Sequence, residues 1–287
     1  MSIIVTGATG HLGRLAVEGL LARGVPAEQI VATGRRIDTL TDLQQRGVTV
    51  RRADYTDPAS LRAAFAGAKQ VLLVSSSEVG QRLPQHRNAI TAAKDTGVGL
   101  IAYTSLTRAD TSTLLLADEH RGTEQALAES GVPHVLLRNG WYTDNYTDQL
   151  PTYLQHGIVG SAGTGQVSAA TRADYAEAAA AVLTTDGHEG AVYELGGEPF
   201  AMPELAAAVS AATGQDVTYT DVPVEQYTRI LVDAGLPEPV AAVYADGDRG
   251  AADGELYVEG NDLDKLIGRA PTSLTDAVTA AVARLRA

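Results

Sequence analysis

The 287-residue chain contains no cysteine. Disulfides, thiolate nucleophiles and sulfur-ligated metals or clusters are therefore excluded, and the absence suits a reducing, cytoplasmic setting. Lys and Arg number 22 against 35 Asp and Glu, which gives a formal net charge of −13. A nucleic-acid partner requires a cationic surface that releases counterions, and this balance runs the opposite way. Phe (2) and Trp (1) are scarce, which argues against an aromatic platform for single strands. No run is apolar for long enough to span a bilayer, so no membrane partner is expected. The start, Met1-Ser2-Ile3-Ile4-Val5, passes straight into a strand pattern, without the basic residues and cleavage site of a secretion signal. The sequon Asn145-Tyr146-Thr147 accordingly carries no weight.

What is present is a core-forming composition, 45% hydrophobic and 20% charged, on a length that suits one domain with a smaller partner. Short β-branched runs at Ile3–Thr6, Ile30–Thr33, Val48–Arg51, Gln70–Ser75, Gly99–Thr104 and Val135–Arg138 alternate with amphipathic runs at Leu12–Ala22, Ala59–Phe65, Pro84–Lys94 and Ala117–Glu129. This alternation predicts an α/β fold with a Rossmann-type doubly wound parallel sheet over residues 1–140. Residues 141–287 change character. Helical runs at Asn145–His156, Asp174–Leu183, Pro203–Ala212, Val224–Ala234 and Ser273–Leu285 surround short strands at Ala191–Leu195 and Val217–Tyr219. They predict a smaller, helix-rich region over the sheet's carboxyl edge, with crossovers between the two parts. Residues Ala245–Gly254, rich in Gly and Asp, read as a mobile loop.

The most informative stretch is Thr6-Gly7-Ala8-Thr9-Gly10-His11-Leu12-Gly13, which follows a strand and opens a helix. In that context Gly7 permits a tight turn, Gly10 admits a pyrophosphate, and Gly13 lets helix and sheet pack closely; the helix N-terminus attracts the anion. An NAD site places an acid at the end of the second strand, but here that position reads Ala32-Thr33-Gly34-Arg35-Arg36. Arg35 suits the 2′-phosphate of NADP through charge-assisted hydrogen bonds. The alternative is a pair of solvated arginines; the missing acid favours the phosphate, and NADPH over NADH. Asp54 stands either near the adenine edge or as a loop residue.

Four segments end at the sheet's carboxyl edge, where ligands bind in open α/β sheets. Ser75, Ser76 and Ser77 are small enough to let a ribose lie against the backbone, and Ser75 with Glu78 also matches a capping box. Tyr103-Thr104-Ser105 follows the fifth strand. His120 and Glu124 lie one helical turn apart, as a surface pair or as two ligands lacking a third, so no metal is expected. Arg138-Asn139-Gly140-Trp141-Tyr142, with Thr143, Asp144, Asn145 and Tyr146 beyond, concentrates aromatic rings and amides. Such a cluster suits a flat, carbonyl-bearing ligand beside a nicotinamide, or a wedge between the two parts of the chain.

The chain resembles the short-chain dehydrogenase/reductase superfamily, in its atypical NmrA-like branch, and there the bacterial type 2 NAD(P)H:quinone oxidoreductases. The stretches that carry the resemblance run through nearly the whole chain: Gly7–Gly13, Leu72–Arg82, Pro84–Asn88, Ile101–Leu106, Ala117–His120, Leu136–Tyr142 and Ala170–Tyr175. The resemblance implies flavin-free hydride transfer from NADPH to a quinone. It implies that the glycine turn and Arg35 hold the adenosine phosphates, that Ser75, Ser76 and Ser77 line the ribose, and that Asn139 to Asp144 border nicotinamide and quinone. The Tyr-x-x-x-Lys pair of typical short-chain dehydrogenases is replaced by His120-Arg121-Gly122-Thr123-Glu124. Alcohol oxidation, which needs a strong proton donor, is thereby disfavoured. A hydroquinone anion spreads its charge, so solvent or a hydrogen bond from Asn139, Asn145 or Tyr142 suffices, with His120 as a further candidate donor. Two rival functions remain: an NADP(H)-binding redox sensor without catalysis, and a reductase of other conjugated carbonyls or azo compounds. The sequence does not distinguish a homodimer face from an ordinary helical surface.

Overall fold

The computed structural model describes residues 2–286; Met1 and Ala287 lie outside them. The first half contains β1 (Ile3–Val5), α1 (His11–Ala22), β2 (Ile30–Gly34), α2 (Thr41–Gln45), β3 (Thr49–Arg52), α3 (Pro58–Phe65), β4 (Gln70–Leu73), α4 (Arg82–Asp95), β5 (Leu100–Leu106), α5 (Ala117–Ser130) and β6 (His134–Asn139). The second half contains α6 (Asp144–Thr147), α7 (Leu150–His156), β7 (Ile158–Gly160), β8 (Gln166–Val167), α8 (Arg172–Thr184), β9 (Val192–Leu195), β10 (Phe200–Ala201), α9 (Met202–Thr213), β11 (Tyr219–Asp221), α10 (Val224–Asp233), α11 (Glu238–Ala252), α12 (Asp262–Ile267) and α13 (Leu274–Arg286).

Seven parallel strands pair in the order β3-β2-β1-β4-β5-β6-β9. The order reverses at β1, between β2 and β4, which opens a crevice at the carboxyl ends of the strands. Helices cover both faces, so Ile4, Val5, Leu72, Ala102 and Leu137 are fully buried and the central strands need no polar alternation. Each such buried Leu contributes about 1.5–3 kcal/mol. α1 and α8 cross at Gly19, where a Cβ would stand 3.2 Å from that of Ala180. The small residues of α8 are what allow this approach.

Three expectations change. The segment Ala191–Leu195 supplies β9, the seventh strand of the main sheet, rather than a strand of the smaller region. The run Asn145–His156 divides into α6 and α7. The presumed loop Ala245–Gly254 is helical through Ala252 as part of α11. Its glycines serve close packing instead of chain reversal: a Cβ at Gly247 would lie 3.0 Å from the Trp141 ring, and one at Gly250 would lie 2.4 Å from Leu114. Beyond the sheet, β7 pairs with β11 and β8 with β10, while α10 packs on α11. Among the described residues no helix is long and apolar enough to cross a membrane.

Candidate functional site

A cleft of about 580 Å³ runs along the carboxyl edge of β1, β2 and β4. Its floor is the glycine turn. Gly7 adopts φ +61°, and a Cβ at Gly13 would stand 2.4 Å from the Gly7 carbonyl oxygen, so both positions require glycine. Gly10 caps α1 without any side-chain cap, and no acid occupies the helix's first turn. The first N–H groups of α1 are thus left to an anion, as a dinucleotide pyrophosphate requires. Thr9, His11 and Leu12 line the cleft with these glycines; Ala8, fully buried, does not.

Arg35 and Arg36 form one end of the cleft. Arg35 reaches across the turn after β1 to Glu78, Nη1 to Oε1 2.8 Å, and both side chains are largely exposed. Glu78 also accepts a hydrogen bond of 2.7 Å from the Gln85 amide. This replaces the expected capping box: α4 starts at Arg82, not after Ser75, and Glu78 is free to pair. Asp54 lines the same end, with its carboxylate turned to the Thr56 N–H and hydroxyl at 2.9 and 2.7 Å. Those bonds hold its carboxyl below the usual range.

Ser75, Ser76 and Ser77 line the middle of the cleft. The loop is pinned from beneath. The Ser75 N–H donates to Thr104 at 2.8 Å, the Ser76 N–H to His86 Nε2 at 3.0 Å, and Arg82 Nε to the Ser76 carbonyl at 2.7 Å. Burial, and then the Arg82 charge, push His86 down to about 3, so it stays neutral and accepts through Nε2. The Tyr55 hydroxyl donates to the Val74 carbonyl at 2.6 Å. The sequence marked no role for Tyr55, His86 or Arg82. Arg82 and His86 fall inside the stretches of resemblance, but nothing in their spacing reveals that they hold the serine loop.

Tyr142 and Arg172 close the far end. The Arg172 guanidinium lies 5.1 Å from the centre of the Tyr142 ring and donates to Asn145 at 2.8 Å. Burial raises the Tyr142 hydroxyl's pKa, and the amide of Asn139 neighbours that hydroxyl. Asn139 is buried beneath the cleft, and its Oδ1 has no hydrogen-bond partner. Gly140 sits where a Cβ would lie 2.8 Å from the Ser168 carbonyl. Trp141 turns away to pack on Gly247, so the ligand and wedge readings divide between adjacent residues. The Thr143 N–H donates to Ala170, and Asp144 accepts from the Arg172 N–H at 2.8 Å; both fix the chain rather than line the cleft.

His120 and Glu124 are not a surface pair. His120 is buried, with Nδ1 2.8 Å from the Tyr103 hydroxyl, and burial lowers its pKa well below the ordinary value. Glu124 grips Arg138 at 2.7 Å and accepts from Ser105. Arg138 also binds Glu194 of β9 at 3.0 Å, which ties the ends of α5, β6 and β9 together.

The NmrA-like family model matches residues 1–277. The chain belongs to the NmrA-like family. Within it, the sequence is 50% identical to quinone oxidoreductase 2 of Escherichia coli over 279 residues, 96% of this chain and 97% of that one. The crystal structure of the E. coli NADPH-dependent quinone oxidoreductase with NADPH superposes with a TM-score of 0.94 at 49% identity, covering 97% of this chain and 99% of that one. The Citrobacter triphenylmethane reductase complexed with NADP(H) gives 0.93 at 40% identity, covering 98% and 100%. Both NmrA-like relatives share the whole fold, including the small region beyond the sheet.

Proposed function

We propose that this NmrA-like chain is a flavin-independent NADPH:quinone oxidoreductase. One observation carries the reading. A single cleft joins an arginine end, an anion-ready helix start and a serine ledge to a far end made of Tyr142 and Arg172. The kinship with E. coli quinone oxidoreductase 2 fits that layout. When bound, NADPH supplies the hydride and the protein supplies position and polarity.

In this reading Arg35 leaves Glu78 for the 2′-phosphate, and the uncapped N–H groups of α1 hold the pyrophosphate. Ser75, Ser76 and Ser77 lie along the ribose. Tyr142, kept protonated by burial, donates a hydrogen bond to the quinone oxygen on which negative charge develops. The neighbouring Asn139 amide holds that hydroxyl in place. His120, neutral and set behind Tyr103, acts as a positioning residue for β5 and not as the proton donor. Without a Tyr-x-x-x-Lys pair, the site favours acceptors that need no strong acid.

Purified protein with NADPH and 1,4-benzoquinone, without added flavin, tests the reading through absorbance at the nicotinamide band. Saturable oxidation, faster with NADPH than with NADH, is expected. NADPH binding without turnover would replace it by the redox-sensor reading. Unchanged turnover in both Tyr142→Phe and Asn139→Ala would remove the placement of the acceptor.

A further inference from the structure

A carboxylate missing from one strand is supplied by another. Sites that take NAD hold the adenosine 2′-hydroxyl with an acid at the end of the second strand. Here β2 ends at Gly34 and is followed by Arg35 and Arg36. The loop after β4 brings an acid back to that place. Glu78 Oε1 lies 2.8 Å from Arg35 Nη1, although the two are 43 positions apart, and both residues line the cofactor cleft.

Glu78 is held in place without Arg35. Its Oε2 accepts the Gln85 amide N–H at 2.7 Å, and Gln85 of α4 is buried. The Gln85 carbonyl accepts in turn from the Ser76 hydroxyl, whose oxygen accepts the Glu78 N–H at 3.2 Å. This closed ring of hydrogen bonds leaves Oε1 as the oxygen that faces Arg35. Arg35 is the freer partner, with its side chain 62% exposed against 39% for Glu78. Asp54, the other acid that lines this end, is tied instead to the neighbouring Thr56.

We infer that Glu78 and Arg35 form a two-way reader of the adenosine 2′-position, in which Glu78 accepts the 2′-hydroxyl of NADH and Arg35 takes the 2′-phosphate of NADPH. The inference rests on the cofactor placement given above. A carboxylate oxygen has room for two donors, so Oε1 accepts from Arg35 and from the hydroxyl together, and the ion pair stays closed with NADH. A 2′-phosphate offers charge instead of a donor. It draws the mobile guanidinium to itself while Gln85 keeps the carboxylate where it was. The carboxylate then repels the phosphate, which moderates the preference for NADPH. The site thus accepts both reduced dinucleotides, and Glu78 is the residue that sets their ratio.

Calorimetric titrations without acceptor compare three probes: NADPH, NADH, and NADH that lacks the adenosine 2′-hydroxyl. The parent protein is expected to bind the deoxy analogue about fivefold or more weakly than NADH. Glu78→Gln keeps an oxygen for the Gln85 amide but loses the charge. It is expected to bind NADH about five- to tenfold more weakly, NADPH about two- to fivefold more tightly, and NADH and its deoxy analogue nearly alike. Changes of the same sign for NADH and NADPH would show that Glu78 only props the serine loop, and would overturn the inference. Equal binding of NADH and its deoxy analogue by the parent protein overturns it as well. Discrimination as expected, without oxidation of either cofactor by 1,4-benzoquinone, supports the reader and strikes the hydride-transfer reading alone.

Turnover gives a second readout. The ratio of kcat/KM for NADPH to that for NADH should rise about tenfold or more in Glu78→Gln, through KM, because the 2′-position is remote from the transferred hydride. A change carried by kcat at level KM overturns the inference.

Discussion

The two ends of the site are built from different materials. The cofactor end is mostly backbone: a turn at φ +61°, a Gly13 pressed on Gly7, and the uncapped N–H groups of α1. Eight consecutive residues make it. The far end is mostly side chain: Tyr142 and Arg172, thirty positions apart in the chain. Backbone donors suit a phosphate, whose charge and shape are fixed. Rings with a few polar groups suit flat acceptors of several kinds. The difference teaches where this fold is rigid in its chemistry and where it has latitude.

Substitutions can break that contrast, and the largest effect belongs to the backbone end. Gly13→Ala drives a methyl into the Gly7 carbonyl. It should abolish measurable NADPH binding by calorimetry and cost about 1–3 kcal/mol in urea denaturation. Intact binding would mean that the turn does not depend on this contact. Arg35→Ala should weaken NADPH about 10- to 100-fold, as loss of charge-assisted hydrogen bonds to a phosphate predicts, and leave NADH nearly unchanged. Equal losses for both cofactors would remove Arg35 from the 2′-phosphate.

Asp248 of α11 predicts a stability effect of opposite sign. Asp248 sits at about 6 when folded, above its ordinary 3.8. Its stabilising contribution is thus present below the unfolded value and is lost as pH rises through about 6. Asp248→Asn should match the parent's unfolding free energy in urea near pH 4 and exceed it at pH 8 by on the order of 1–3 kcal/mol. A variant less stable at pH 8 would show that the carboxylate is compensated. The smallest effect sharpens the cofactor end. Glu78→Gln releases Arg35 from its ion pair and should tighten NADPH binding about two- to fivefold, since an exposed pair is worth under about 1 kcal/mol. No change in the NADPH dissociation constant would make the pair irrelevant to binding.

Legibility in the sequence followed locality. The glycine turn was readable because its residues are adjacent in the chain and their conformation is dictated locally. The segment Ala245–Gly254 was misread because glycine was taken as a breaker, whereas Gly247 and Gly250 are there to admit Trp141 and Leu114. Ser75 and Glu78 have capping-box spacing, yet α4 begins at Arg82 and Glu78 goes to Arg35. His120 and Glu124 share a helix face, as their spacing requires, but that face is buried against Tyr103 and Arg138.

The sequence by itself determined the doubly wound sheet and the tight glycine turn at the start of α1. Each of these follows from short-range periodicity or steric freedom. Only the tertiary structure decided that Val192–Leu195 completes the sheet, that His86 and Arg82 pin the serine loop, and that Trp141 packs on Gly247 of α11. Those contacts join residues far apart in the chain, and packing selects them from many partners that local pattern leaves equivalent.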